Sequence, residues 1–437
     1  MSEQIDLTDY ADSDSEEDSE WTEKRLGEIF DSIYSGGTPK KGVDEYYDGR
    51  IPFVKIEDLN EQQGDGVTTA KNYITEQALE ETSTRAFDSG TLLMTIYGSL
   101  AETAIVQTRV ATNQGILGLW DADDDNVLYV RYAIDNTQPK LASLSRQTTQ
   151  ANLGKGIVKK HKIPIPPLPE QRKIATLLYT VDQAIEKAKE IIDQTHTVKR
   201  ALIQDVFHGR HKEFKEYTST PVGEIPTEWS VVSIGDIVRT AQYGISESLS
   251  EEGDYPIFRM NNIKNGYMID EPLKYINLDN EDFEKYRVKE GDILFNRTNS
   301  LELVGKTGIY ELKGDHVFAS YLVRLQTNDK ADPYYLNHYM NSAEAQNRMM
   351  DFATKGVSQA NINANSIQQV KLPLPPLEEQ KEIVERIQSI DSQIKVNQQY
   401  KSQLQRLKQG LMSDLLSGTV RTTDTNIEVP DEIAQHG

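Results

Sequence analysis

The chain contains one sequence unit twice, and this duplication constrains its fold more than any other feature. The segment Pro166–Ile174 (PPLPEQRKI) recurs 209 residues later as Pro375–Ile383 (PPLEEQKEI). Other landmarks keep this offset or one residue less: Gln150–Asn152 with Gln359–Asn361, Gly209 with Gly418, and Trp21 with Trp229. A repeat of this length predicts two copies of one structural unit, each made of a domain, a proline-rich hinge and a helix.

Each proline-rich segment leads into a long amphipathic pattern. Apolar residues recur at spacings of four and three, which is the period of a coiled-coil seam. The predicted seam residues are Ile174, Leu178, Val181, Ile185, Ile192, Leu202, Ile383, Ile387, Ile390, Ile394, Leu404, Leu411 and Leu415. At 1.5 Å per residue each helix is roughly 50 Å long. We expect the two helices to pack on each other in antiparallel fashion; the alternative is that each packs on its own domain.

The residues before each hinge have a mixed pattern. Short runs of β-branched and aromatic residues between turn residues predict strands. These runs are 51–56, 91–96, 115–120 and 127–130 in the first unit, and 256–260, 292–295 and 322–325 in the second. The predicted fold class is α/β (α+β), with two pseudo-symmetric domains separated by two long helices that form an antiparallel coiled coil.

The repeat also predicts where the parts of the chain begin and end. The predicted parts are an acidic disordered tail (1–20), a first domain (21–165), a first helical region (166–210), a linker (211–228), a second domain (229–374), a second helical region (375–421) and a disordered tail (422–437). Landmarks around the hinge keep a constant offset, whereas those within the domains drift. One scaffold with two divergent domains is therefore expected.

Composition excludes several classes of protein. The chain has no cysteine, which excludes disulfides, thiolate metal sites and cysteine nucleophiles and is typical of a cytoplasmic protein. No stretch approaches the apolar length of a membrane span. The net charge is −22, and residues 1–20 hold nine acidic residues and no basic one. The remaining acidity indicates either a salty cytoplasm or partners that supply the basic surface.

Motifs for catalysis or metal binding are incomplete. The segment Val304–Thr307 is similar to a phosphate-binding loop, but Ser300 stands where that loop needs glycine. The double prolines lack the neighbouring Asn or Asp and aromatic residue of amino-methyltransferases. His208 and His211 could share a helix face but have no third ligand nearby. We therefore predict no catalytic residue, no metal and no cofactor bound by this chain.

Taken together, these features resemble the specificity subunits of type I restriction–modification enzymes. The resemblance is carried by Trp21 through Gly37–Pro39, Tyr46–Lys55, Gln150–Asn152 and the duplicated hinge, and it covers about residues 21–421. It implies two target-recognition domains, each binding one half of a bipartite DNA site. The acidic tail and the strong negative charge depart from the pattern.

The resemblance also implies partners. In that family the helical regions set the spacer between the half-sites and dock two modification subunits, which methylate adenine with S-adenosylmethionine. Restriction subunits add a nuclease and a translocase that use ATP and Mg. The chain itself would be a non-catalytic subunit. The alternatives are a stand-alone two-domain DNA-binding or adaptor protein without enzyme partners, and an enzyme that acts on DNA alone.

Polar and basic residues of the two domains are the candidates for DNA contact. Arg and Lys suit guanine edges or phosphates, and Asn and Gln suit adenine edges. The candidates are Lys55, Arg85, Tyr97, Arg109, Asn113, Gln114, Arg146, Gln150, Asn152, Lys155, Arg259, Asn261, Asn262, Arg297, Asn299, Lys306, Lys355, Gln359 and Asn361. The repeated Gln and Asn residues are predicted either to position the DNA backbone or to cap structure before the hinge.

Overall fold

The computed structural model describes residues 20–61, 66–122, 124–145, 152–356 and 359–435. The chain divides into two compact units, of which the first comprises 1–190 and 398–437 and the second 191–397. Each unit contains one globular domain and one half of each long helix. The predicted acidic tail lies outside the described residues, except for its last residue. Within the described residues, no helix is both long and apolar enough to cross a membrane.

The first domain consists of one antiparallel and one mixed sheet of short strands with one buried helix. Its strands are β1 (Thr22–Arg25), β2 (Phe30–Ser35), β3 (Tyr47–Val54), β4 (Tyr73–Ile74), β5 (Arg85–Phe87), β6 (Leu92–Thr95), β7 (Thr103–Ile105), β8 (Val110–Thr112), β9 (Ile116–Ala122) and β10 (Lys162–Ile165). Its helices are α1 (Leu26–Ile29), α2 (Ile56–Glu61), α3 (Glu76–Glu81), α4 (Val127–Ser143), α5 (Lys155–Lys160) and the start of α6 (Leu168–Val206). The strand orders are β2-β9-β6-β7 and β4-β3-β8-β5, and β1 pairs with β10 beside the hinge.

The prediction of a strand at 127–130 is wrong, because these residues begin helix α4. The Asn126 side chain accepts a hydrogen bond from the backbone N–H of Tyr129 at 3.0 Å and caps the helix. Valine and tyrosine favour strands locally, but Leu128 and Tyr132 are buried on this helix against the β2-β9-β6-β7 sheet. Tertiary packing therefore overrides local propensity here.

The second domain repeats this plan. Its strands are β11 (Tyr217–Thr220), β12 (Gly223–Pro226), β13 (Ser230–Ser233), β14 (Val238–Tyr243), β15 (Tyr255–Phe258), β16 (Ile263–Lys264), β17 (Tyr267–Met268), β18 (Lys274–Ile276), β19 (Ile293–Asn296), β20 (Thr298–Asn299), β21 (Thr307–Ile309), β22 (Val317–Phe318), β23 (Leu322–Thr327), β24 (Thr354–Lys355), β25 (Ala360–Asn361) and β26 (Lys371–Leu374). Its helices are α7 (Ile234–Ile237), α8 (Asn280–Tyr286), α9 (Pro333–Met340), α10 (Ala343–Met350), α11 (Ala364–Ile367) and the start of α12 (Leu377–Leu416). The main sheet has the order β14-β23-β19-β21-β17-β16, and β13 pairs with β26 as β1 pairs with β10.

Two glycines mark equivalent close approaches in the domains. A Cβ at Gly36 would lie 2.1 Å from Thr112 Oγ1, and one at Gly244 would lie 2.3 Å from the Phe318 carbonyl oxygen. Both glycines follow the first long strand of their sheet, where a loop crosses the backbone. Only glycine permits this approach, so the repeated glycine reflects one shared backbone geometry.

Helices α6 and α12 run antiparallel within each unit, as predicted. In the first unit Asp182 pairs with Lys408 at 2.6 Å. In the second unit Lys199 pairs with Asp391 at 2.5 Å. Every predicted seam residue is buried or half-buried. The first-unit seam residues Ile174 and Leu178 also join Leu415 and Leu416 in the core of the first domain, so helix–helix and helix–domain packing share one surface.

The repeated glutamine of the hinge motif joins each helix to its domain. Gln171 Nε2 donates to the Pro166 carbonyl at 2.9 Å and to Asp125 at 2.8 Å, while its oxygen accepts from the Asn126 N–H at 2.8 Å. Gln380 makes the equivalent bonds to the carbonyls of Pro375 and Lys330 and to the N–H of Asp332. Both side chains are buried. The repeated glutamine therefore has one structural role in both units: its side-chain amide forms three hydrogen bonds to backbone or side-chain partners.

Residues 422–435 fold in contact with the rest of the first unit, which differs from the prediction of a disordered tail at 422–437; residues 436–437 lie outside the described residues. Arg421 donates to Glu170 at 2.9 and 2.7 Å, and the Thr422 N–H donates to the same carboxylate at 3.0 Å. Helix α13 (Asp431–Ala434) buries Ile433 in the core of the first domain. Residues outside this segment form hydrogen bonds with its polar groups, and these bonds hold the segment against the domain.

Replacing Arg421 with alanine is expected to lower the free energy of unfolding of the first unit by about 2 kcal/mol, because Glu170 stays buried without its main partner. Burial raises the pKa of Glu170, but bonds from Arg421, Thr422 and Trp21 outweigh it and leave that pKa below its ordinary value. The stabilisation is therefore present above the ordinary pKa of a glutamate and is lost as the pH falls below it.

Urea unfolding at neutral and at acidic pH measures this difference. Arg406→Ala is the control, since Arg406 is exposed on α12 and, among the described residues, bonds to the Ser402 carbonyl four residues before it. An Arg421 variant as stable as the wild type at neutral pH would show that the segment does not stabilise the unit.

Candidate nucleic-acid and partner interfaces

In the first unit, two cations lie over one exposed tyrosine at the end of strand β2. The Cζ of Arg85 lies 4.4 Å from the centre of the Tyr34 ring, and the Nζ of Lys155 lies 4.2 Å from it. The ring also packs on Trp120, with 5.5 Å between the ring centres. Strand β5 supplies Arg85 and helix α5 supplies Lys155. We call Tyr34, Arg85 and Lys155 the Tyr34 cluster.

The Tyr34 cluster has no acidic partner within the described residues. Burial, together with the charges of Lys159 and Arg85, lowers the pKa of Lys155. An anion beside the cluster would reduce this repulsion, and a DNA phosphate supplies one. By contrast, the candidate Arg109 is neutralised by Glu76 at 2.8 Å. The cluster therefore offers the DNA backbone two cations that have no acidic partner among the described residues.

The repeated asparagines have internal partners. Asn152 Nδ2 donates to the Tyr97 hydroxyl at 3.1 Å, and Asn361 Nδ2 donates to Thr298 Oγ1 at 2.6 Å. Each asparagine therefore holds the loop that follows the strand β6 or β19. Of the two predicted roles, the structure favours the internal one, since these amides position a loop.

In the second unit, an exposed tyrosine again lies beneath a cation. The Cζ of Arg297 lies 4.9 Å from the centre of the Tyr243 ring. The Tyr243 hydroxyl accepts a hydrogen bond from the Ala364 N–H at 2.9 Å. Arg297 also donates to the Ser320 carbonyl at 3.2 Å and forms no ion pair within the described residues. Its charge is therefore fixed in place and available to an anion.

Three other candidates of the second domain remain accessible around Arg297. Asn299, at the end of β20, and Lys306, just before β21, are half-buried at the two ends of the loop that joins these strands, and Gln359 is exposed beside β25. The Asn299 side chain accepts from the Ser300 N–H at 2.8 Å. Candidate DNA-contact residues that are distant in sequence therefore lie at or beside this loop.

The structure contradicts the prediction for Asn262. Its side chain is 0% exposed, accepts from the Arg259 N–H and donates to the carbonyls of Ile269 and Pro272. It therefore holds a turn and has no surface to offer a base. Arg259 also bonds to Pro272, whereas Asn261 is exposed.

In the first domain, several candidates serve local structure. The Asn113 side chain accepts from the Gly115 N–H at 2.9 Å, and the exposed Gln114 accepts from Thr38 at 2.5 Å. Lys55 is half-buried, and its N–H donates to Asp58 at 2.9 Å. Arg146 and Gln150 lie outside the described residues, and Lys355 lies in strand β24.

Sequence reasoning missed Tyr34 and Tyr243. Both are exposed aromatic residues just before a glycine-bounded turn, at Gly36 and Gly244, which is the signal that could have identified them. No group of three or more His, Asp or Glu residues in the described parts of the chain could hold a metal ion.

The helices carry a second repeated feature, a pair of exposed apolar residues beside the seam. In the second unit these are Ile191 and Val198 on α6, with Val198 57% exposed. In the first unit they are Tyr400 and Leu407 on α12, with Leu407 50% exposed. The pairs are equivalent in the 209-residue repeat. The two residues of each pair are seven apart and lie on one face of their helix, and an apolar surface of this kind is a candidate for contact with a partner.

Comparison with known proteins identifies the family and the fold. A sequence profile of the family described as "Type I restriction modification DNA specificity domain" matches residues 18–194 and 226–406. The type I restriction enzyme MjaVIII specificity subunit of Methanocaldococcus jannaschii is 26% identical over 425 residues, covering 93% of this chain and 94% of the relative. The EcoKI specificity subunit of Escherichia coli K12 is 27% identical over 260 residues, covering 57% of this chain and 55% of the relative.

A solved structure shows the same fold. The S subunit of a type I restriction–modification system from M. genitalium superposes with a TM-score of 0.57 at 14% identity, covering 94% of this chain and 98% of that one. The predicted fold class of two pseudo-symmetric α/β domains with long helices is confirmed. Since the profile matches both repeats and most of the chain, the protein belongs to the type I restriction–modification DNA specificity family.

Proposed function

We propose that this chain is the subunit that selects the DNA sequence in a type I restriction–modification complex, with each unit binding one half of a bipartite duplex site. The observation that carries the proposal is the pair of cation–tyrosine surfaces, at Tyr34 and at Tyr243, on two domains of one architecture. The surrounding residues differ between the domains, so each surface would bind a different half-site. The chain itself is a non-catalytic subunit, as its specificity-subunit relatives are.

The repeated apolar pairs support two modification subunits as partners. Each subunit would cover one pair, Ile191 with Val198 or Tyr400 with Leu407. S-adenosylmethionine would bind to those partners, and ATP and Mg to restriction subunits. Partners would also supply basic surface, which the net charge of −22 leaves scarce on this chain.

Helix length would set the spacer between the half-sites. Helix α6 has 39 residues and α12 has 40. At 1.5 Å per residue each is about 60 Å long, and B-DNA completes a turn about every 34 Å. The two helices together would therefore fix the number of unread base pairs.

Exchanging residues 21–150 for those of another family member is expected to change one half-site and leave the spacer as it was. The exchange replaces most of the first domain, including Tyr34 and Arg85, and retains Lys155, both helices, hinges and apolar pairs. Mapping methylated adenines in a host that carries the complex gives both half-sites and the spacer. The control is the same mapping with the wild-type chain. A change in both half-sites, or no methylation that depends on this chain, would refute the proposal.

A further inference from the structure

We propose that the second unit inserts the Leu301–Leu303 loop between base pairs of its half-site and kinks the duplex there. This inference rests on the proposed function. Leu301 is 54% and Leu303 is 50% exposed. Among the described residues from 229 to 374, the exposed large apolar side chains are Tyr243, Leu301, Leu303 and Tyr321. All four belong to this loop or lie against its base, so the apolar exposure is concentrated at one place.

Hydrogen bonds within the loop hold its two leucine side chains exposed to solvent. The Leu303 and Val304 N–H groups both donate to the Ser300 carbonyl, at 3.1 and 2.9 Å. Asn296 Nδ2 donates to the Leu303 carbonyl at 3.1 Å, and Val304 is buried as an anchor. A loop free to collapse would bury its leucines, whereas these bonds fix them outward.

The first unit lacks this feature. There, seven residues join Thr95 to Thr103, whereas ten join Asn296 to Thr307 in the second unit. The leucine of the shorter loop, Leu100, is buried. The added residues thus present apolar side chains that the other copy of the same architecture does not have. One unit would bind its half-site without insertion and the other with it.

Positive charge on both sides of the loop favours duplex DNA as its binding partner. Arg297 and Lys306 flank the loop at its two ends, and Arg297 is fixed over Tyr243. Glu302, at the tip, is the acidic residue between them. Leucine side chains cannot hydrogen-bond to base edges, but they unstack a base step when inserted, while nearby cations hold the phosphates. The half-site bound by this unit would therefore contain a flexible pyrimidine–purine step, which is the step that kinks most readily.

The test uses the full chain with its modification subunits and the duplex that methylation mapping identifies. 2-Aminopurine placed along the half-site of the second unit is expected to brighten on binding at one step. The Leu301→Ser/Leu303→Ser variant should lose this signal and bind about 10-fold to 100-fold more weakly. A duplex with a mismatch at that step, which is already unstacked, should restore most of the affinity of the variant.

Leu144→Ser is the matched control, since Leu144 is 52% exposed in the first domain and should change neither readout. Unchanged affinity and fluorescence in the double variant would overturn the insertion. Loss of a modification subunit from that variant, with DNA contacts intact, would also overturn it and assign the loop to protein docking. A wild-type complex that binds no specific duplex would instead refute the proposed function.

Discussion

Complexes formed with Val198→Glu are expected to contain one modification subunit instead of two, and those with Leu407→Glu likewise. A charge placed in an apolar contact must lose its water when the partner docks, which weakens each site by about 3 kcal/mol, or roughly 100-fold. The two positions are equivalent in the repeat but lie in different units, so under the proposed function each substitution is expected to remove a different partner. The double variant should retain neither partner and support no methylation.

Native mass spectrometry of the purified complexes counts the bound subunits, and incorporation of labelled methyl groups measures the activity. Both positions are exposed, so the free chain should fold as the wild type does. Gln194→Glu adds the same charge on an exposed position of α6 and is the control. If both single variants bind two partners with wild-type affinity, these apolar pairs are not the docking surface.

The two long helices could be predicted from the sequence because their apolar residues recur at a regular spacing. Every seam position from Ile174 to Leu415 is at least half-buried. The hinge could be located because its sequence is repeated, but the contacts that require this sequence could not be predicted. They join Gln171 to Asp125 and Asn126, which are far away in sequence.

The prediction from local strand propensity was wrong where burial in the core determined the secondary structure. Residues 127–130 contain β-branched and aromatic side chains but form the first turn of α4, whose capping residue Asn126 gives the one local signal for a helix. The sequence predicts a disordered tail at 422–437, yet Thr422 bonds to Glu170 and Ile433 packs in the core of the first domain.

DNA-contact residues were the hardest to predict because residue type does not report surroundings. Asn262 and Arg85 are both plausible from chemistry alone. Only the fold shows that Asn262 is satisfied inside a turn, while Arg85 lies over Tyr34 with no acidic partner among the described residues. The aromatic residues that organise these cations attract no attention in a search for polar side chains.

Lys199→Ala is expected to destabilise the second unit by about 2 kcal/mol, since it leaves Asp391 largely buried without its cation. The side chains of this pair are 15% and 19% exposed. The Tyr267 hydroxyl also donates to Asp391 at 3.2 Å, so part of the carboxylate stays bonded. Lys408→Ala should act on the first unit in the same way, because Lys408 pairs with Asp182.

These two pairs do more than add stability, because together they allow one register. Seventeen residues separate Asp182 from Lys199, and seventeen separate Asp391 from Lys408. In antiparallel helices both pairs can therefore form at once, and a slip of one heptad breaks both. A polar contact in a seam costs stability but selects a single alignment.

A double-mutant cycle of Lys199→Ala and Asp391→Ala separates these effects. The coupling measured by urea unfolding should be about 1 to 2 kcal/mol, with the double variant less destabilised than the sum of the single ones. The exposed pair Lys381 and Glu378 on α12 is the control and should show little coupling. A coupling near zero between Lys199 and Asp391 would leave the register to the apolar seam alone, and the spacer would then depend on packing instead of charge.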